Sequence, residues 1–373
     1  MKVAIAYDWL NVKHGGGEDT LIEIAKLYPD ADIHCLMFNK KKFLSYFSQH
    51  KVITSHLRYF PGFIKKRPFL LLPFIRRAIT KMNFEGYDLV ISVSSAWVKN
   101  IVVPEKTMHI SYCFSPARMI WDSWPRYLDT QKIGPFRLGA MSRFFITKSV
   151  SKIRLWDYYA TDSVDEFISI SHYISDRINK FYHRKSIVVY PPVNTASAIQ
   201  ANKSNYYLVL SVLSQYKNIE LIIRAFMKNK HKLIIAGDGP DRVRLEKLAI
   251  GDPNIEFVGR VSDKRKHVLL AEAKALLFPG IEDFGITPIE ALAHATPVIT
   301  LKAGGLGETI GTKTGVFFTE PTEMAVNDAI TEFENKHFEK TDLQTSAEKY
   351  SLETFQYQFT SAVDKIYKKE SKK

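Results

Sequence analysis

Short apolar runs that end in polar, often glycine-bearing loops recur along this chain, and most are followed by a stretch with helical spacing. Residues 2–7 form the first such run, the loop Gly15-Gly16-Gly17-Glu18 follows, and helical periodicity continues to about residue 27. The same logic predicts strands at 33–38, 88–93, 109–113 and 167–171, with 186–190 the last before Pro191-Pro192. Beyond that break the alternation is cleaner. Strands are expected at 207–213, 232–236, 255–259, 274–278 and 297–301, and helices at 218–227, 241–249 and 263–273. Strands alternating with helices of about ten residues predict parallel sheets. Two such series give an α/β protein of two doubly wound, Rossmann-like domains facing a central cleft, at 1–190 and 191–350. A last helical pattern over 352–367 lies in a C-terminal segment, 351–373, for which a return to the first domain is one arrangement.

The most informative polar positions lie in Phe278-Pro279-Gly280-Ile281-Glu282-Asp283-Phe284-Gly285-Ile286-Thr287-Pro288-Ile289-Glu290. Two carboxylates stand eight positions apart around a glycine turn that opens a helix. Carboxylates accept hydroxyl hydrogen bonds, and the free N–H groups of a helix start attract phosphate. A ligand with both hydroxyls and phosphate suits that pairing. Thr287-Pro288-Ile289-Glu290 also fits a capping box, with Thr287 as N-cap and Pro288 at the first helical position, which would explain Glu290 without a ligand. Glu282 has no such explanation: it follows a strand, at the sheet edge where open α/β folds bind ligands.

Other candidates are weaker taken singly. The Gly15–17 loop lacks the G-x-G-x-x-G spacing of the dinucleotide fingerprint, and a plain turn is the simpler reading. Lys217 follows a strand and precedes a helix, where a lysine can reach a phosphate as a mobile charge or simply face solvent. Gly304-Gly305-Leu306-Gly307-Glu308 is a third glycine loop before a helix, and Gly237-Asp238-Gly239-Pro240 turns from strand to helix. Asp30-Ala31-Asp32 precedes its strand, so it reads as a turn and not a metal site. No metal-ligand cluster and no Ser/His/Asp array with recognisable spacing is evident.

Composition narrows the classes. The chain has 373 residues, 46% hydrophobic and 24% charged, the balance of a soluble globular protein. Two cysteines, Cys35 and Cys113, show neither disulfide nor metal spacing, which points to a reducing compartment. Residues 2–10 enter a strand pattern directly, so no leader is expected, and the longest apolar run, 69–75, is too short to span a bilayer. The net charge is +13, and residues 1–190 hold 28 Lys+Arg against 16 Asp+Glu, whereas 191–373 hold 24 against 23. An anionic surface facing the first half is implied. Within it, residues 51–84 carry eight basic side chains and no acidic one, interleaved with Tyr59, Phe60, Phe63, Phe69, Phe74 and Phe84. That composition suits an interfacial segment on an anionic membrane; a helical region with a solvated basic face is the simpler alternative. Charge alone is a poor warrant for nucleic acid, and no recognised motif for it accompanies the charge.

These residues together resemble the retaining glycosyltransferases of the GT4 family, with the GT-B fold, over nearly the whole chain. The likeness is nearest to bacterial GDP-mannose-dependent α-mannosyltransferases of surface-polysaccharide synthesis. It rests on Ala6-Tyr7-Asp8-Trp9-Leu10 with Gly15-Gly16-Gly17-Glu18, on Gly86-Tyr87-Asp88-Leu89-Val90-Ile91-Ser92, and on Ser115-Pro116-Ala117-Arg118-Met119-Ile120-Trp121-Asp122. Later come Tyr190-Pro191-Pro192-Val193, Gly237-Asp238-Gly239-Pro240, Gly259-Arg260-Val261-Ser262-Asp263 and, most specific, the E-x7-E motif of Glu282 and Glu290. The resemblance implies a catalytic pair, Glu282 and Lys217. Glu282 would hold donor-sugar hydroxyls and Lys217 would neutralise the diphosphate. Glu290 would bond the ribose, the backbone amides of Phe284, Gly285 and Ile286 would meet sugar and phosphate, and Val261 would lie near the base. Gly15, Gly16 and Gly17 would approach the phosphates from the first domain, and Arg118 and Asp122 are acceptor-side candidates.

It further implies transfer of a sugar, mannose from GDP-mannose, to a lipid-linked glycan acceptor. No cofactor or metal is called for, and the setting would be cytoplasmic and peripheral on the inner face of the membrane, docked through residues 51–84. Two positions depart from the family pattern. Phe114 stands where a histidine before Ser/Thr-Pro is usual, and Val212 where an arginine five residues before the phosphate lysine is usual. Those departures leave open a non-catalytic nucleotide-sugar-binding or scaffold role on the same fold.

Overall fold

The computed structural model describes residues 1–10, 15–60, 71–122, 132–133, 136–137 and 140–370, and these divide into two compact units. The N-terminal unit comprises Met1–Val189 with Gln356–Lys373, and the C-terminal unit comprises Tyr190–Phe355.

The N-terminal unit is built on a seven-stranded sheet in the order β3-β2-β1-β4-β5-β8-β9. Its strands are β1 (Val3–Leu10), β2 (Asp32–Phe38), β3 (Val52–Thr54), β4 (Leu89–Ser94), β5 (Met108–Cys113), β8 (Glu166–Ser169) and β9 (Ser186–Val188), paired in parallel throughout. A two-stranded antiparallel hairpin, β6 (Lys132–Ile133) and β7 (Phe136–Arg137), stands apart from the sheet. Parallel sheets need cover on both faces, so their inner strands read as continuous apolar runs; all six residues of β4 are buried. The long helix Leu352–Glu370 belongs to this unit from residue 356 onward. There Phe359 packs edge-on against Tyr112 at 5.4 Å, Gln356 donates to Glu23, and Lys369 pairs with Glu166 at 2.8 Å.

Two buried carboxylates organise this unit. Asp8, at the end of β1, accepts four backbone N–H bonds, from Ser95, Ala96, Trp97 and Val98 at 2.8–3.0 Å. β1 and β4 flank the point where strand order reverses, and Asp8 fills it from within. Asp157 accepts from Lys99 and Asn100 on one oxygen and from Trp121 and Tyr182 on the other, at 2.7–2.8 Å.

The C-terminal unit carries a six-stranded parallel sheet, β12-β11-β10-β13-β14-β15. Its strands are β10 (Tyr207–Leu210), β11 (Leu233–Ala236), β12 (Ile255–Gly259), β13 (Ala275–Phe278), β14 (Val298–Leu301) and β15 (Gly315–Phe318). Tyr207, Phe226, Leu233, Leu277 and Ile299 lie in its core.

Periodicity misses two edge strands, β3 and β15, and the helices Ala140–Ala160, His172–Tyr182, Glu323–Glu334 and Lys340–Glu348. β3 has three residues, too few for alternation to register. Ala140–Ala160 mixes apolar and basic residues with little separation into faces.

The basic segment 51–84 is described in part, since Lys65, Lys66, Arg67, Phe63 and Phe69 lie outside the described residues. The rest holds the 3-10 turn His56–Tyr59 and the helix Leu72–Thr80. Phe74, Arg76 and Arg77 on that helix are exposed, Phe60 packs on Phe74 at 4.9 Å, and the Arg58 guanidinium lies over the exposed Tyr59 ring at 4.6 Å. Among the described residues, no helix is long and apolar enough to cross a membrane.

Candidate donor-binding site

In the C-terminal unit the strand order reverses between β10 and β13. Ligands of open α/β sheets bind beyond the carboxyl ends of the strands at that switch point. The segment after β10 carries Lys217, and the segment after β13 carries Glu282. The structure joins them: Lys217 Nζ donates to Glu282 Oε1, with both side chains largely buried.

Local chemistry explains why Lys217 is available there. It ends a single 3-10 turn, Gln215–Lys217, and Asn218 follows at φ 55°, a left-handed conformation that asparagine tolerates. That residue redirects the chain into the helix Ile219–Asn229. The Gly237-Asp238-Gly239-Pro240 turn braces this loop. Leu213 N–H donates to the Asp238 carbonyl and Asp241 N–H to the Leu213 carbonyl, each at 3.1 Å.

The turn holding Glu282 is pinned from the other side. Glu282 forms a parallel bridge with Gly304, and Gly305 N–H donates to the Glu282 carbonyl at 2.8 Å. The following helix, Ile286–Ala293, starts earlier than a capping box requires. Its N-cap is Gly285, at φ 97°, and Thr287 and Pro288 lie inside the first turn. The capping-box alternative is therefore overturned. A glycine takes the left-handed conformation without a Cβ penalty, so the chain bends into the helix two residues before Thr287. Pro288 lacks an N–H that the first turn could not have used. The first intrahelical bond, Ile289 N–H to the Gly285 carbonyl, is 3.4 Å long. A helix leaves the first N–H groups of its opening turn without intrahelical acceptors, and here no side chain caps them, so the amides of Gly285, Ile286 and Thr287 form a donor edge shortly after Glu282 in the chain.

Glu290 lies one turn into this helix, and its carboxylate accepts from Lys266 Nζ at 2.7 Å. Lys266 comes from the helix Asp263–Glu272, whose N-cap Ser262 accepts from Arg265 N–H at 3.3 Å. Val261 immediately precedes that cap, on the loop after β12. Sequence reasoning did not single out Lys266. Its place four residues after an N-cap serine, in the first turns of the helix beside Glu290, was the available signal. Behind the pair, His294 Nδ1 donates to the Glu290 carbonyl at 2.7 Å, and its ring stacks on His267 with a 3.0 Å Nδ1–Nε2 contact. Burial pushes the His294 pKa down, which favours the neutral form of that ring.

The structure thus places Lys217, Glu282, Phe284 and Gly285 on two loops of one unit, and Ile286 and Glu290 on the helix that the second loop opens. Val212 is exposed on the loop before Lys217. Among the described residues, no group of three or more His, Cys, Asp or Glu could hold a metal ion. Asp32, the end of the apparent acidic pair, accepts from the Tyr87 hydroxyl.

The remaining candidates lie in the N-terminal unit. Gly15 is the N-cap, and Gly16 and Gly17 the first turn, of the helix Gly16–Leu27, so only Gly15 lies outside the helix. A Cβ on Gly17 would lie 3.0 Å from the Tyr7 hydroxyl and 3.7 Å from the Phe114 ring. Phe114 packs edge-on against Tyr112 at 5.6 Å. Arg118 starts the short helix Arg118–Trp121, and Asp122 at its end receives both terminal nitrogens of Arg177.

With these positions fixed, comparison with known proteins is direct. The family model "Glycosyl transferases group 1" matches residues 192–351. Residues 192–351 are a glycosyl transferases group 1 domain. Glu282, Glu290, Lys217 and Lys266 all fall inside it. The chain is 32% identical over 147 residues to the O-antigen chain mannosyltransferase RfbU of Salmonella typhimurium, covering 35% of this chain and 40% of that one. It is 25% identical over 250 residues to the alpha-1,3/1,6-mannosyltransferase ALG2 of Mus musculus, covering 56% and 60% respectively. The matches span between 40% and 60% of the lengths of these two relatives. Among solved structures, the lipopolysaccharide outer core galactosyltransferase WaaB superposes with a TM-score of 0.68 at 16% identity, over 98% of this chain and 99% of that one. The fold is therefore GT-B, two Rossmann-like parallel-sheet domains, over essentially the whole chain.

Proposed function

We propose that this protein is a retaining glycosyltransferase that moves a hexose from a nucleoside-diphosphate sugar to a lipid-linked glycan acceptor, with mannose from GDP-mannose as the donor. The observation that carries this is the joined pair Lys217–Glu282 at the switch point, beside the open amides of Gly285, Ile286 and Thr287. The mannosyltransferase relatives support the choice of sugar.

The chemistry follows from charge. As the glycosidic C–O bond breaks, positive charge grows on the sugar ring and negative charge on the departing phosphate. Lys217 and the helix-start amides stabilise the developing phosphate charge more than the ground state, which lowers the barrier. Glu282, released from Lys217 when the diphosphate takes its place, accepts hydroxyls of the sugar. Glu290, held by Lys266, accepts from the ribose. The acceptor hydroxyl attacks from the leaving-group face, and a phosphate oxygen takes its proton. The incoming O–C bond replaces the outgoing one on the same face, so configuration is retained.

The scaffold alternative raised by Phe114 and Val212 is not favoured, because the E-x7-E carboxylates each keep a lysine partner. The exposed Tyr59, Phe74, Arg76 and Arg77 support docking on an anionic membrane surface, peripheral and cytoplasmic, where a lipid-linked acceptor resides.

The test is transfer from GDP-mannose, UDP-glucose and UDP-galactose to lipid-linked acceptors. Lys217→Ala and Glu282→Ala are each expected to lose ten- to a hundredfold in turnover, the cost of about 1.5–3 kcal/mol per charged hydrogen bond. Wild-type turnover by both variants would refute the site, and binding without turnover across the panel would revive the scaffold. Flotation with anionic against neutral vesicles tests the docking surface; equal, salt-insensitive binding to both would remove it.

A further inference from the structure

The chain enters the C-terminal unit at Tyr190 and leaves it after Phe355. Close to both points stand tyrosines that meet on one residue of the donor turn. Tyr190 packs on Phe284 with ring centroids 5.8 Å apart and edge-on against Tyr350 at 5.2 Å, and Phe284 meets Tyr350 edge-on at 5.3 Å. Phe284 and Tyr350 are buried. The Tyr350 carbonyl also accepts from Val193 N–H at 2.8 Å, which fastens the entering strand of chain to the leaving one.

A second route runs from Tyr190 to the same turn. Its hydroxyl donates to Glu308 Oε2 at 3.0 Å. Glu308 lies in the short helix Leu306–Thr309, which begins directly after Gly305. Gly305 N–H holds the Glu282 carbonyl, and Leu306 packs over Gly285, where an added Cβ would meet its Cδ2 at 2.3 Å. The ring of Tyr190 therefore bears on residue 284, and its hydroxyl on the segment that pins residues 282 and 285. Burial, with the Glu308 carboxylate beside it, raises the Tyr190 pKa, so the hydroxyl remains a donor at physiological pH.

We propose that Tyr190 is a positioning residue for the donor turn: through Phe284 and Glu308 it fixes the placement of Glu282 relative to the stretches where the chain passes between units. The proposal rests on the glycosyltransferase reading for its catalytic consequence, but its structural content does not. Aromatic pairs prefer defined tilted or edge-on geometries, so a three-ring cluster specifies orientation as well as burial. Tyr190 touches no reacting atom. Its effect belongs on the sugar end of the donor, where Glu282 acts, and less on the nucleoside end held by Glu290 and Lys266.

Hydrogen–deuterium exchange of the unliganded chain, with Tyr190→Ala and Tyr190→Phe, tests the placement directly. In Tyr190→Ala the amides of residues 282–287 are expected to exchange about tenfold faster or more, with the β10–β13 core unchanged, as a local opening would give. Tyr190→Phe keeps the ring and is expected to restore most of the protection. In donor turnover, Tyr190→Ala is expected to lower kcat about tenfold or more while KM for the donor moves less than about threefold, the signature of misplacement near the chemistry. Tyr190→Phe is expected to recover most of kcat. Unchanged exchange of the turn in Tyr190→Ala, or a uniform rise across the unit, would overturn the proposal. A wild-type turn that gains no protection from GDP or UDP would instead refute the donor-site reading, and the exchange comparison of the unliganded variants would still decide the role of Tyr190.

Discussion

Replacing Gly305 by alanine isolates how closely the donor turn is held. Gly305 has φ −65° and ψ −19°, which alanine adopts freely, so any effect comes from space and not from backbone strain. A Cβ there would lie 2.4 Å from the Asp283 carbonyl oxygen, 2.7 Å from its carbon and 2.8 Å from the Phe284 Cα. Ordinary contact starts near 3.4 Å, and all three atoms are backbone, so no rotamer change relieves the clash. The turn must shift by about 1 Å, and overpacking of that kind costs about 1–3 kcal/mol. In a unit of this size the thermal midpoint is expected to fall by roughly 3–10 °C. The same shift moves Glu282 and the helix-start amides away from the donor, and a displacement of about 1 Å lowers turnover about a hundredfold. Gly307→Ala is the matched control, since a Cβ there meets nothing within 4 Å; it is expected to leave turnover unchanged and stability equal or about 0.5–1 kcal/mol higher. Circular-dichroism melting and donor turnover read both variants. A Gly305→Ala protein with wild-type midpoint and wild-type kcat would refute the reasoning.

Lys266→Met removes the partner of Glu290, and calorimetry with GDP is expected to show about tenfold weaker binding, with Lys266→Arg recovering part of it. Burial holds His34 and His109 in the neutral form, each with its pKa pushed down to about 4 from the ordinary 6.5. The unfolded chain takes up those protons first, so urea stability is expected to hold above pH 6.5 and to fall between 6.5 and about 4, by about 1.4 kcal/mol per pH unit for each imidazole; a flat profile across that window would contradict it. Asp157→Asn leaves the fully buried Lys99 ammonium without its counter-charge, and urea unfolding is expected to report a loss of about 3–5 kcal/mol, whereas a near-neutral result would mean that Lys99 has other compensation.

The sequence by itself determined the alternation of strand and helix, because central parallel strands are buried on both faces and their four-residue apolar runs, such as Ala275–Phe278, stand out against polar loops. It also placed Glu282 and Lys217 at strand ends, where a ligand edge is expected. Edge strands as short as Val52–Thr54 left no such trace, and the helix Ala140–Ala160 hid because its apolar and basic residues are mixed around its circumference. Only tertiary structure decided which strands are neighbours, and so that the residues after β10 and β13, 65 positions apart in sequence, meet as an ion pair at the switch point. It also decided the helix start. Threonine, proline and glutamate in that order satisfy a local capping rule, but Gly285 takes a left-handed conformation beneath Leu306 and opens the helix earlier. Local spacing records what a residue can do within a turn. Whether it does so depends on the side chains that packing brings against it, and for Glu290 that partner was Lys266, on a different helix.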